Sequence, residues 1–166
     1  MKQFKTLLLA TALCLGSIGF TQAQSKVAHI NTQELIVSMP AAKAAQAEIE
    51  TLGKTYQTDI QNSVTELQNL QKQYEAEATT KTDEENQKRI LELQEKQQRI
   101  QQFRADAQKD LAKKEAELFK PIQEAAMKAI NEVAKAQGYN YVLDRATLIV
   151  ADGTDILADV KKKMGI

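Results

Sequence analysis

Through the first half of this chain the apolar residues recur with a period that suits one face of a long helix. Ile49, Leu52, Tyr56, Ile60, Val64, Leu67, Leu70 and Tyr74 follow one another at steps of three or four. That spacing draws a single stripe along a helix surface. Residues 41–78 contain no proline, and good helix formers dominate them. Gly53 is the one glycine of the stretch. It weakens the helix by about 1 kcal/mol relative to alanine.

A second helical stretch follows at almost the same length. Thr79-Thr80-Lys81-Thr82 breaks the pattern, and Thr82 with Glu85 has the spacing of a capping box, so a new helix is expected to begin there. Ile90, Leu93, Ile100, Ala107, Leu111 and Leu118 fit heptad a and d positions. Gln97, Arg104 and Lys114 fall in the same register, so the seam should be a loosely packed coiled coil. The stretches 41–78 and 83–120 would each make about 57 Å of helix. Matched helices with a short turn between them predict an antiparallel hairpin standing out as an arm. A single rod broken at the turn is the alternative, and the capping box favours the hairpin. Pro121 predicts a kink or joint, after which Ile122, Ala126, Ile130 and Val133 carry on a helical stripe toward Gly138, a C-cap residue.

The two ends have a different character. Lys26-Val27-Ala28-His29-Ile30 is a short β-like run, and Asn31 with Glu34 resembles a helix N-cap with its reciprocal partner. A short helix through Leu35 and Val37 should end near Ser38-Met39, with Pro40 in the first turn of the next helix. Near the C-terminus, residues 139–144 and 147–151 are β-branched and aromatic runs separated by a polar turn. Asp152-Gly153 marks another turn, and Ile156, Val160 and Met164 define a final helix ending in Lys161-Lys162-Lys163. Those lysines suit the negative end of the helix dipole; anionic lipid is the other partner they offer.

The first residues carry the pattern of an export signal: Lys2 and Lys5, an apolar run from Leu7 to Phe20, then Thr21-Gln22-Ala23. The run spans about 14 residues, short of the ~20 that a membrane-crossing helix requires. Cleavage near Ala23 would remove Cys14, the single cysteine, and leave neither disulfide nor thiol chemistry. It would also leave 20 basic against 22 acidic residues, a net charge of −2. That balance argues against nucleic acid as a partner.

Three short strands and one small helix bury little surface, and small sheets are marginal in water. Both faces of Leu148-Ile149-Val150 are apolar, so several copies are expected to pool their strands into one body. The expected organisation is a signal at 1–23, a body from 24–40 and 121–166, and an arm from 41–120.

Catalysis is not expected. His29 is the single histidine, and Ser25, Ser38 and Ser63 stand in no nucleophile context. No phosphate loop, metal constellation or cofactor motif is present in the sequence. Glu84, Glu85, Glu92 and Glu95 lie among lysines and arginines, as on a solvated helix face. What remains is surface and shape. The stripe from Ile49 to Tyr74 is first of all the hairpin's own seam. Because the opposing seam is partly polar, Tyr56, Ile60, Tyr74, Phe103 and Phe119 are candidates for contact with a client polypeptide.

The signal, Lys26 to Asn31, the helical hairpin, Gly138-Tyr139-Asn140-Tyr141-Val142-Leu143-Asp144 and Asp155-Ile156-Leu157-Ala158-Asp159-Val160 together resemble the Skp/OmpH periplasmic chaperones. The resemblance spans the whole chain after the signal and is most specific at its two ends. It implies a mainly α protein with a small β body: a homotrimer whose intersubunit β-barrel carries three helical tentacles around a cavity. It further implies an ATP-independent holdase for unfolded outer-membrane β-barrel proteins. Val27, Ile30, Tyr141, Leu143, Leu148 and Val150 would help to build the oligomerisation body. In one respect the chain departs from the family, whose members are often basic. Residues 75–89 hold five acids and three bases, which leaves lipid attraction at the tip in doubt. The rival function is a structural coiled-coil adaptor or spacer in the envelope.

Overall fold

The structure, a computed structural model, describes residues 25–166. The expected signal, its cleavage near Ala23 and Cys14 lie outside the described residues. In chain order the elements are strand β1 (Val27–Ile30), helix α1 (Thr32–Ser38), helix α2 (Pro40–Glu77) and a 3-10 turn (Ala78–Thr80). Helix α3 (Asp83–Ala136), strand β2 (Tyr141–Asp144), a second 3-10 turn (Arg145–Thr147), strand β3 (Thr154–Asp155) and helix α4 (Leu157–Met164) complete the order.

Local chemistry accounts for each boundary. Asn31 Oδ1 accepts from the Glu34 N–H at 3.0 Å and opens α1. Pro40 takes the first position of α2, where a missing N–H loses nothing. At the far end of the arm the capping box is complete: Thr82 Oγ1 accepts from Glu85 N–H, and the Glu85 carboxylate accepts from Thr82 N–H at 2.9 Å. Gly138 closes α3 with φ of 73°. Tyr139 N–H donates to Ala134 O at 2.9 Å and Gly138 N–H to Lys135 O at 3.2 Å, the paired bonds of a Schellman ending.

α2 and α3 run antiparallel, which the side-chain pairs between them show directly. Glu48 meets Lys114, Glu66 meets Lys96 and Glu77 meets Arg89, so one partner climbs in number as the other descends. Every residue of the predicted α2 stripe, from Ile49 to Tyr74, is half-buried, and Ile100 and Ala107 of α3 are buried between them. The hairpin is therefore present, and its seam is thin.

The sheet has the order β2-β1-β3, and both pairings are parallel. Val27 stands opposite Tyr141 and Ile30 opposite Asp144, while Ala28 stands opposite Thr154. Parallel neighbours cannot be joined by a tight turn and need a crossover connection. Here the crossover from β1 to β2 is α1, α2 and α3, so the entire arm is one connection within the sheet. The main core lies where the sheet, the foot of the arm and α4 meet. Ile30, Leu35, Ile156 and Val160 are its largest fully enclosed side chains, joined by Met39, Ala42, Ala45, Ile122, Ala126 and Ile130. Each large aliphatic group removed from water there contributes about 1.5–3 kcal/mol.

Two expectations are corrected. Pro121 does not end the helix: α3 runs through it for 54 residues. Its ring is exposed, so the carbonyl it cannot bond one turn earlier is left to water rather than stranded in a core. The run 147–151 is no strand within this chain either. Arg145–Thr147 forms a 3-10 turn, Leu148 follows in an extended conformation, and the third strand is Thr154–Asp155 instead. A β-rich composition creates a strand only where a neighbour accepts its hydrogen bonds, and this subunit supplies none at that place.

Candidate functional site

The arm presents three zones. In its middle, Tyr56 on α2 and Phe103 on α3 meet edge to face, with ring centroids 5.8 Å apart. Tyr56 Oη donates to the Asp110 carboxylate at 2.8 Å. That hydrogen bond, with lesser help from desolvation and the nearby charge, holds the phenol above its usual pKa. Ile60 lies half-buried one turn farther along α2.

Toward the tip, Tyr74 Oη donates to the Glu92 carboxylate at 2.6 Å, and the same bond raises its pKa. The Arg89 guanidinium lies 4.5 Å from the centre of the Tyr74 ring and pairs with Glu77 at 2.5 Å. Asn86 Nδ2 donates to Ala78 O at 2.9 Å and ties the turn to α3. Glu77 is held below the usual carboxylate range, first by the Gln73 amide and then by Arg89. A groove of about 320 Å³ opens beside this cluster, lined by Tyr74, Ala78, Asn86, Ile90 and Leu93. At the foot of the arm a second groove, of about 330 Å³, is lined by Val37, Ala42, Ala47 and Phe119.

The five client-contact candidates are thus spread along the arm rather than gathered. Tyr56 and Phe103 meet each other, Tyr74 is at the tip, and Phe119 is at the foot. All five are half-buried and engaged in the hairpin. The most accessible large apolar groups of the arm and its foot are others: Val37, Ile90 and Leu91, each more than half exposed. Ile90 was expected in the seam. Its pairing with Leu91 was the available signal, because adjacent residues on a helix point about 100° apart and the two cannot both face one seam.

In the body, Ile30 is buried, whereas Val27, Tyr141 and Leu143 are exposed on the sheet. Leu148 is half-buried and Val150 is 70 % exposed, while Ile149 between them is fully exposed at 102 %. Two of the C-terminal lysines are engaged within the subunit: Lys161 with Glu34 at 3.0 Å and Lys163 with Glu132 at 3.2 Å. The Glu34 carboxylate thus serves α4 rather than returning to the Asn31 N–H as expected, and only its backbone N–H takes part in the α1 cap. Among the described residues no three His, Cys, Asp or Glu side chains converge as metal ligands, and no helix is long and apolar enough to cross a membrane.

The family model for outer membrane protein (OmpH-like) matches residues 26–164. The chain belongs to the OmpH-like family. Within reach of this family lie chaperone protein Skp of Photorhabdus luminescens, 26 % identical over 160 residues covering 92 % of this chain and 97 % of the relative, and Skp of Pectobacterium atrosepticum, 22 % identical over 153 residues covering 92 % and 93 %. The crystal structure of an OmpH-like protein from Caulobacter crescentus, described as an outer membrane chaperone, superposes with a TM-score of 0.77 at 22 % identity over 87 % of each chain. This OmpH-like chain shares that fold: long helices and a small three-stranded sheet.

Proposed function

We propose that this protein is a non-enzymatic, ATP-independent holdase of the periplasm that keeps unfolded outer-membrane β-barrel proteins from aggregating. The observation that supports it is the arm itself. It is a hairpin about 57 Å long, attached to a small sheet, in a chain whose family match runs from end to end of the described residues. Its seam is made of half-buried tyrosine, leucine and isoleucine side chains, which fluctuations of a thin two-helix contact can share with another polypeptide. Weak apolar contacts spread over a long surface bind extended chains without reading one sequence. Three such arms on a trimeric body would enclose a cavity, with Tyr56, Ile60, Tyr74, Phe103 and Phe119 toward the client. Val27, Ile30, Tyr141, Leu143, Leu148 and Val150 would lie in the shared body.

The test is light scattering of a urea-unfolded outer-membrane β-barrel protein on dilution into buffer, with and without the protein and with no nucleotide. Suppression near one trimer per client is the expected result. Unchanged aggregation at several-fold excess would sink the reading.

A further inference from the structure

Between Ile90 and Gln102 the side of α3 turned away from the seam carries no charge. This stretch holds five glutamines, Gln94, Gln97, Gln98, Gln101 and Gln102, and all five are exposed. With successive residues turning by about 100°, they share one sector of about 140°, and Ile90 and Leu91 continue it toward the tip. The four charged residues of the stretch fall outside that sector and are already engaged. Glu92 accepts from Tyr74, Lys96 pairs with Glu66 across the seam at 2.7 Å, and Arg99 pairs with Glu95 at 3.2 Å. The five glutamines line an open groove of about 500 Å³, larger than those at the tip and the foot. Gln102 donates to Asp106 at 3.0 Å, while among the described residues the other four side-chain amides make no hydrogen bond. On α2, by contrast, Gln46, Gln71 and Gln73 each donate to a glutamate four residues on.

Such a face excludes most partners. It offers no cation to anionic lipid or nucleic acid. Its large apolar groups, Ile90 and Leu91, stand at one end only, too few for a packed pair with another helix. What it offers is the carboxamide, with two N–H donors and a carbonyl acceptor. That is the polar content of a peptide bond. An unfolded chain bares its peptide groups whatever its sequence, whereas a folded protein keeps nearly all of its buried ones paired. From Ile90 to Gln102 the face is about 18 Å long, which matches about five extended residues.

We propose that the glutamine face of α3 binds the main chain of an unfolded polypeptide, its carboxamides replacing water on exposed peptide N–H and C=O groups. The inference rests on the holdase reading above and adds the face and the chemistry of capture. Each bond exchanges a water for an amide and contributes little, so capture is reversible. The absence of charge keeps it blind to the client's side chains.

The experiment measures binding of a urea-unfolded outer-membrane β-barrel protein, on dilution, by fluorescence anisotropy, with mass followed by sedimentation and helix content by circular dichroism. Gln94→Met, Gln97→Met, Gln98→Met and Gln101→Met are combined, which keeps side-chain length and helix propensity and removes the four amides. The combined variant should keep its helices and its mass and bind about tenfold more weakly. A second measurement needs no variant. Two peptides with the same side chains, copied from one strand of that client, are compared on the wild type, one of them with alternate main-chain nitrogens methylated. The plain peptide should bind more tightly, and the combined variant should lose that preference. Equal affinity for the two peptides, or a variant that binds the client as tightly as the wild type, would overturn the glutamine face and leave the holdase reading standing. A wild type that binds no unfolded client would overturn the holdase reading and the inference with it. A variant that falls to a smaller mass would make a second copy the occupant and overturn the proposal.

Discussion

Individual side chains divide into those that hold the body and those that hold the arm. Leu35 is fully enclosed among core residues of the sheet, α2 and α3. Leu35→Ala should therefore lose about 2–5 kcal/mol in urea unfolding, a loss that no arm residue should match. The carboxylates give the arm and loop a common response to acid. Asp144 is held below its usual 3.8, first by the Thr32 hydroxyl and then by the Ala146 amide. Glu66 is held below 4.5 by Lys96, and Glu85 below 4.5 by the backbone and hydroxyl of Thr82. A carboxyl with a depressed folded pKa contributes stability that is complete above its unfolded value and is lost as pH falls through the folded one. The contribution of the two glutamates is thus complete above 4.5 and declines below it, and that of Asp144 declines only below 3.8. Thermal melts at pH 7 and pH 3 should show this, and Asp144→Asn should narrow the gap between the two. An equal gap in the variant would show that Asp144 carries none of it.

Elements differ in how readily their sequences disclose them. The α2 stripe and the Thr82–Glu85 box could be read directly, because both depend on neighbours three or four residues away. Pro121 could not, since whether proline breaks a helix depends on whether the carbonyl it frees is wet or buried, and burial is a tertiary fact. Leu148, Ile149 and Val150 misled for a related reason: β composition reports a preference, while a strand needs a neighbour at hydrogen-bonding distance. The parallel order β2-β1-β3 was equally hidden, as it depends on pairing between strands more than a hundred residues apart. Of the five arm candidates, helical period placed Tyr56, Ile60 and Tyr74 on the seam, but exposure, which singles out Ile90 and Leu91, required the second helix. Two substitutions test the helix arguments. Pro121→Ala should raise stability, by as much as about 3 kcal/mol, in urea unfolding; a loss would mean that the proline shapes the helix after all. Thr82→Ala should weaken the turn by roughly 1 kcal/mol and speed amide exchange in residues 83–86 while leaving the core strands protected.

The whole molecule couples a thin arm to a dense foot. Removing residues 56–103 as a matched segment should leave an assembled body that no longer protects a client, as read by sedimentation and by the aggregation assay. Monomers after the deletion would show that the arm is needed for assembly, and retained protection would move the client site elsewhere. One further consequence comes from the sheet's topology. β1 emerges near the beginning of the described chain, yet its neighbours β2 and β3 come only after the whole arm. As the polypeptide appears from its N-terminal side, β1 has no mate, and the local contacts of the hairpin are the first that can close. The foot must be the last part to set. A chain stalled or cut short after the arm is complete, beyond residue 120 but before β2, would therefore display a finished rod on an unmade base, and its β1 strand would stay open to whatever edge it met.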